Sequence, residues 1–232
     1  MTMTATRDKR RERMRGRILA AAMRLFVKQG FHNVSLRGVA AAIGYSPAAI
    51  YRYFNSKREI LAALRIEGFA MFVERQRQAM ELADPHARLL SSGLDYLRFA
   101  RTHPGYFHLM FNLDIDVRDM EDDWVAKPME SYELLRKMAG DCIEAGYFQG
   151  HSSEAVVMGL WAAAHGLANL LLSGRVEAMA GDNELWDLLE KTMAFNLRSP
   201  SRDPEDHGDG DASKGRETAP RTRQERGARD SS

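Results

Sequence analysis

From Ile18 to Leu197, apolar residues recur at intervals of three and four, the spacing that lays one face of an α-helix against a core. Ile18, Ala22, Leu25 and Phe26 form the first such stripe, in a helix expected to start near Arg11 and to stop at Gly30. Ser35 is placed to cap a second helix carrying Leu36, Val39, Ala40 and Ile43, which Gly44 ends after about two turns. Ser46 and Pro47 suit the N-cap and first position of a third helix, with Ile50 and Phe54 facing inward. Ser56-Lys57-Arg58-Glu59 has the form of a capping box, and Ile60, Leu61 and Leu64 continue its helix. Further breaks fall at Asp84-Pro85, at His103-Pro104-Gly105, across Asp114 to Asp123, at Gly146 to Ser153 and at Gly174 to Asp182. The last helix, near Glu184 to Leu197, places Leu185, Leu188, Leu189, Thr192 and Phe195 on one stripe. No alternating β-branched run demands a sheet, so the chain reads as all-α.

Composition changes this picture at two places. Beyond Ser199 there is no Ile, Leu, Val, Phe, Tyr or Trp, and such a segment buries too little to offset its ordering entropy; 199–232 is expected to be a disordered polar tail. Ala155 to Gly174 is uncharged throughout, long enough to consider as a membrane span. It contains Gly159, His165, Gly166, Asn169 and Ser173 and lacks flanking basic clusters, which favours a helix buried in protein.

The near-neutral total of +1 hides an asymmetry. Residues 1–66 carry a net charge of +11 and residues 67–198 a net charge of −9. A basic module joined to an acidic body points to a polyanionic partner for the first part alone. The single cysteine, Cys142, can form no internal disulfide and fits a reducing cytoplasm, and no secretory signal is read at the N-terminus.

Two short helices joined through Gly44-Tyr45-Ser46 have the layout of a helix-turn-helix, whose second helix enters the major groove. With Ile50 and Phe54 turned inward, Tyr45, Ser46, Pro47, Ala48, Tyr51 and Tyr53 lie on or near the outer side. Hydroxyls there can reach phosphates or base edges, and Pro47 and Ala48 can touch thymine methyls. Lys57 opens the next helix, where a cation opposes the helix dipole unless a phosphate sits nearby. Ser35 and Arg37, at the start of the second helix, complete the candidate DNA-binding set. The plainer alternative is that the tyrosines pack and Lys57 is a solvated surface lysine.

The segment Ile18 to Leu64, with Leu25-Phe26, Gly30-Phe31, Ser35-Leu36, Val39-Ala40, Ile43-Gly44 and above all Ser46-Pro47-Ala48-Ala49-Ile50-Tyr51-Arg52-Tyr53-Phe54 before Ser56-Lys57, closely resembles the N-terminal domain of TetR-family transcriptional regulators. That resemblance implies phosphate contacts and packing from Tyr51, Phe54 and Lys57, an obligate homodimer and a helical C-terminal effector domain. Trp161-Ala162-Ala163-Ala164-His165-Gly166, with His103-Pro104-Gly105-Tyr106-Phe107, resembles the Trp-x-x-x-His-Gly effector domain of one branch of these regulators.

The expected organisation is therefore a basic arm (1–10), a three-helix helix-turn-helix domain (11–66), a helical ligand-binding and dimerisation domain (67–198) and the tail. Tyr96, Phe99, Phe107, Met110, Phe111, Trp161 and His165 are candidates to line an effector pocket, although such a stripe can equally be core. Gly159, Ala163, Gly166 and Leu170, with Leu185, Leu188, Leu189 and Thr192, are candidates for a two-fold interface, burial within one chain being the alternative. His165 has no partner histidine for a metal. From Asp114 the acidic run lacks the glycine and glutamate a calcium loop needs at its sixth and twelfth positions. Neither a catalytic constellation nor a phosphate loop is found, and no cofactor is expected. The function read from these features is a ligand-responsive, DNA-binding regulator, a repressor released from a palindromic operator by a small molecule. An activator or ligand-insensitive regulator of the same fold is one alternative; a helical small-molecule-binding or membrane-surface protein is the other.

Overall fold

The computed structural model describes residues 3–113, 122–180 and 184–198, all within one compact unit, Met1–Pro200. The expected tail and most of the acidic loop from Asp114 lie outside the described residues.

Ten α-helices follow in order: α1 (Met3–Gln29), α2 (Leu36–Ala42), α3 (Pro47–Tyr51), α4 (Lys57–Met80), α5 (Pro85–Thr102), α6 (Pro104–Phe107), α7 (Asp122–Glu144), α8 (Ser153–Leu172), α9 (Arg175–Met179) and α10 (Leu185–Asn196), among the described residues. A π-helical turn, His108–Asn112, follows α6 directly, closed by the Leu113 N–H donating to the His108 carbonyl at 2.8 Å. No strand occurs among the described residues. α1 begins well before Arg11, because Met3 to Arg10 contains neither glycine nor proline and nothing there breaks the helix. The expected arm is thus its first turns. α9 interrupts what reads in sequence as a continuous break.

Side-chain caps set several of these starts. Ser35, Ser46 and Ser56 each accept a backbone N–H three residues on, from Gly38, Ala49 and Glu59 at 3.2, 3.3 and 3.1 Å. The Glu59 carboxylate returns to Asn55 rather than to Ser56, accepting its backbone and side-chain N–H groups at 2.9 Å each. Gly44 takes a left-handed φ of 73°, which the turn between α2 and α3 requires and a side chain would strain.

The cores are arranged along α4. Ile60 and Leu64 belong to a first cluster with Ile18, Phe26, Val39, Ile50 and Phe54. Phe69 and Phe72, further along the same helix, belong to a second with Tyr96, Phe99, Phe107, Leu189 and Met193. A third gathers Ala79, Leu89, Met138, Cys142 and Val157. The division expected after residue 66 therefore falls inside a continuous helix. The π-helical turn belongs to both neighbouring clusters: Leu109 is fully buried in the first, while Met110 sits in the second and Phe111 packs against it. Gly68 lets this turn approach α4, since a Cβ there would meet the Met110 sulfur at 2.6 Å. A Cβ at Gly105 would meet Val27 and Met23 at 2.6 and 2.9 Å, so α6 lies directly on α1.

Candidate nucleic-acid interface and effector cavity

The turn and α3 present the residues expected to face DNA. Ile50 is buried at 1% exposure, whereas Tyr45, Ser46, Pro47, Ala48 and Tyr51 are exposed, as are Ser35 and Arg37. Ser35 and Ser46 use their hydroxyl oxygens as caps, which leaves each O–H able to donate outward. Tyr53 is half-buried and packs on the first core, so it is the weakest member of the outward set. The Lys57 ammonium donates to the His32 carbonyl at 3.1 Å and lies 5.9 Å from the centre of the Phe26 ring. Part of the dipole conflict is therefore met inside the chain, while an ammonium carries further donors for a phosphate.

Two arginines of α1 that sequence reasoning passed over support this surface. Arg15 donates to the Tyr53 carbonyl at 2.9 Å and lies 4.3 Å over the Phe54 ring, tying α1 to the end of α3. Arg17 lies 5.8 Å over the Tyr45 ring and brings a cation beside the turn. The only hint in sequence was their basic character one turn ahead of Ile18.

In the second part of the chain, α4, α5, α7, α8 and the π-helical turn enclose a cavity of about 280 Å³. Tyr96, Met110, Phe111 and Trp161 line it as expected from the sequence. Phe99 and Phe107 do not: both are fully buried behind the wall, Phe99 stacked on His103 and Phe107 on His165. His165 is also displaced from the wall, in second rank behind Tyr96. The expected stripe was right about the elements but too wide in angle, because a helix turns by 100° per residue and only one edge of each faces the space. Phe69, Phe72 and Gln76 of α4, Ser92 of α5, and Pro128, Ser131 and Tyr132 of α7 complete much of the wall. The α4 pair was legible as an apolar stripe, but the polar members carried no signal.

Trp161, Tyr96 and His165 form a hydrogen-bonded relay. The Trp161 indole N–H donates to the Tyr96 hydroxyl, and that hydroxyl lies 2.8 Å from His165 Nδ1. An indole can only donate, so the tyrosine proton goes on to Nδ1 and the imidazole keeps its proton on Nε2. Burial raises the Tyr96 pKa far above the ordinary phenol range and lowers that of His165, so both stay neutral at physiological pH.

The expected interface residues divide by helix phase. On α8, Gly159, Gly166 and Leu170 are exposed and Ala163 is half-buried, beside exposed Met158 and Ala162. On α10, Leu188 is exposed and Thr192 half-buried, in line with Phe195 at 67% exposure. Leu185 and Leu189 correct the expectation: with Met193 they form the opposite stripe and are buried in the chain's own second core. α8 is long and apolar enough to cross a membrane, but it packs against α5, α7 and α10. No group of three potential metal ligands occurs among the described residues.

A capped, outward-facing helix-turn-helix on a basic module, joined to a helical body with its own cavity, defines a DNA-binding regulator with a ligand domain. Residues 18–64 match the family model for bacterial regulatory proteins of the tetR family, and residues 89–194 match that for the tetracyclin repressor-like C-terminal domain. The chain belongs to the TetR family and is a transcriptional regulator, not an enzyme. It is 24% identical to the HTH-type transcriptional activator FasR of Mycolicibacterium smegmatis, over 65% of this chain and 68% of that one. It is also 24% identical to YobS of Bacillus subtilis, an uncharacterized HTH-type transcriptional regulator, over 78% of this chain and 87% of that one. The fold is similar to that of the TetR-family regulator PfmR from Thermus thermophilus, with a TM-score of 0.62 and 22% identity, covering 80% of this chain and 99% of that one.

Proposed function

We propose that the protein is a cytoplasmic, homodimeric repressor that binds a palindromic operator through Ser35, Arg37, Tyr45, Ser46, Pro47, Ala48, Tyr51, Tyr53 and Lys57, and leaves it when a small molecule enters the cavity. The observation that carries this reading is the π-helical turn. Its Leu109 is a fully buried member of the DNA-module core, while the next two residues, Met110 and Phe111, line the cavity. A ligand that repositions Met110 or Phe111 acts on a segment with one side chain in each part. A molecule binding one arrangement better than the other shifts the equilibrium, and a coupling of about 1–3 kcal/mol alters operator occupancy about 5- to 150-fold.

The dimer is proposed to form through the exposed face of α8 and α10, with Met158, Gly159, Ala163, Gly166, Leu170, Leu188, Thr192 and Phe195. Two recognition helices related by a two-fold axis then read half-sites about one helical turn apart or somewhat more. The membrane-surface reading gives way to family membership. Because FasR bears the name of an activator, the sign of regulation is part of the test.

The test is fluorescence anisotropy of the purified protein on the DNA flanking its own gene, at several salt concentrations, with scrambled competitor. Site-specific binding that falls steeply with salt is expected, with Tyr51→Phe weakening all sequences alike and Ala48→Gly changing base preference. No effect of either substitution refutes the assigned outward face. Loss of repression in a reporter strain lacking the gene separates repressor from activator.

A further inference from the structure

We infer that the cavity takes an aromatic molecule of about two fused rings bearing one hydrogen-bond donor, which it gives to the side-chain oxygen of Gln76. This rests on the reading of the cavity as the effector site. Gln76 lines the cavity and is 3% exposed. Its Nε2 donates to the Ser131 carbonyl of α7 at 3.2 Å. That bond fixes the amide, because turning it over would set two carbonyl oxygens against each other. The Oε1 atom is then left with no partner among the described residues, although buried polar atoms are almost always paired.

The rest of the wall supplies the remainder of the specification. Phe69, Phe72, Phe111, Tyr132 and Trp161 line the space with rings, which suits a flat apolar body. At about 280 Å³ the space is well above the roughly 150 Å³ that suffices for benzene, hence two rings. Tyr96 has already committed its proton to His165, so the tyrosine does not meet the need at Gln76. A ligand offering only acceptors, such as a carboxylate, would place oxygen against the Gln76 oxygen.

The test compares isosteric pairs that differ in the donor: indole with benzofuran, and β-naphthol with β-fluoronaphthalene, each titrated calorimetrically into the full-length protein. The donor member of each pair is expected to bind about five- to tenfold more tightly. In Gln76→Met, which keeps length and loses the acceptor, the preference should vanish or invert. The wild-type comparison decides the matter even if that variant does not fold. Equal affinity within both pairs overturns the donor inference and leaves the cavity as an effector site. Failure of all four to bind overturns the inference together with the effector reading beneath it.

Discussion

Replacing Gly68 with alanine adds one methyl group in the interior of α4, where two effects oppose each other. Alanine is favoured over glycine in a helix interior by about 1 kcal/mol. The new Cβ, however, would stand 2.6 Å from the Met110 sulfur, 3.2 Å from its Cγ and 3.1 Å from a Tyr106 ring carbon. Met110 is only 5% exposed, so it yields by moving into the cavity or by pushing the π-helical turn away from α4. Overpacking of this kind costs about 1–3 kcal/mol. The net expectation is a loss of up to about 2 kcal/mol, which at this chain length lowers the Tm by about 2–4 °C per kcal/mol. Met110→Ala removes the obstructing atoms, so Gly68→Ala should be neutral or stabilising in that background, with a coupling of about 1–3 kcal/mol. The assay is urea unfolding of the four chains at one fixed protein concentration, because dimer formation makes stability concentration-dependent. Gly68→Ala having the same effect in both backgrounds would refute the close approach of α4 and the turn.

Three other outcomes follow from named contacts. Burial holds His165 and His103 below the ordinary histidine pKa, so the unfolded chain takes up protons first as pH falls. Stability should therefore be full above the unfolded value of about 6.5 and decline below it, and His165→Gln should flatten part of that decline in melts between neutral and mildly acidic pH. Phe195→Asp, at a position 67% exposed on the proposed interface, should shift sedimentation toward monomer without lowering helix content; an unchanged dimer would exclude that face. Ser46→Ala removes the cap bond to Ala49 and should cost about 1 kcal/mol, while weakening operator binding more than Ser152→Ala, the equivalent cap loss on α8, which operator titrations of both variants would compare.

Most helices were legible because their ends carry local chemistry. Ser35, Ser46, Ser56 and Asp84 announce starts whose cap bonds form as their residue types require, and Gly44 announces the turn. α1 ran past its expected start because that start was inferred from where the apolar stripe begins, and helix formation does not need one. The short α9 was hidden among glycines and the π-helical turn within one apolar run, since neither has length enough for a period to show. For the cavity, the sequence pointed to aromatic helices but not to their rotation about their own axes. That is why Tyr96 faces the space and Phe99 does not, and why Leu188 is exposed while Leu189 is core. Gln76 was invisible for a different reason. Its importance comes from a carbonyl 55 positions away on α7, a pairing that no local pattern encodes.

Cys142 has a practical consequence. The thiol is fully buried in the third cluster, and burial pushes its pKa up to about 11. With scarcely any thiolate present and no route to solvent, the folded chain should ignore alkylating and oxidising reagents. Since no other cysteine exists to confuse the signal, the rate at which a chromogenic disulfide labels this protein counts the occasions on which α7 and its neighbours come apart. An effector that stiffens the body would slow that clock and one that loosens it would speed it up, so each regulator molecule carries its own reporter of internal motion without an added dye.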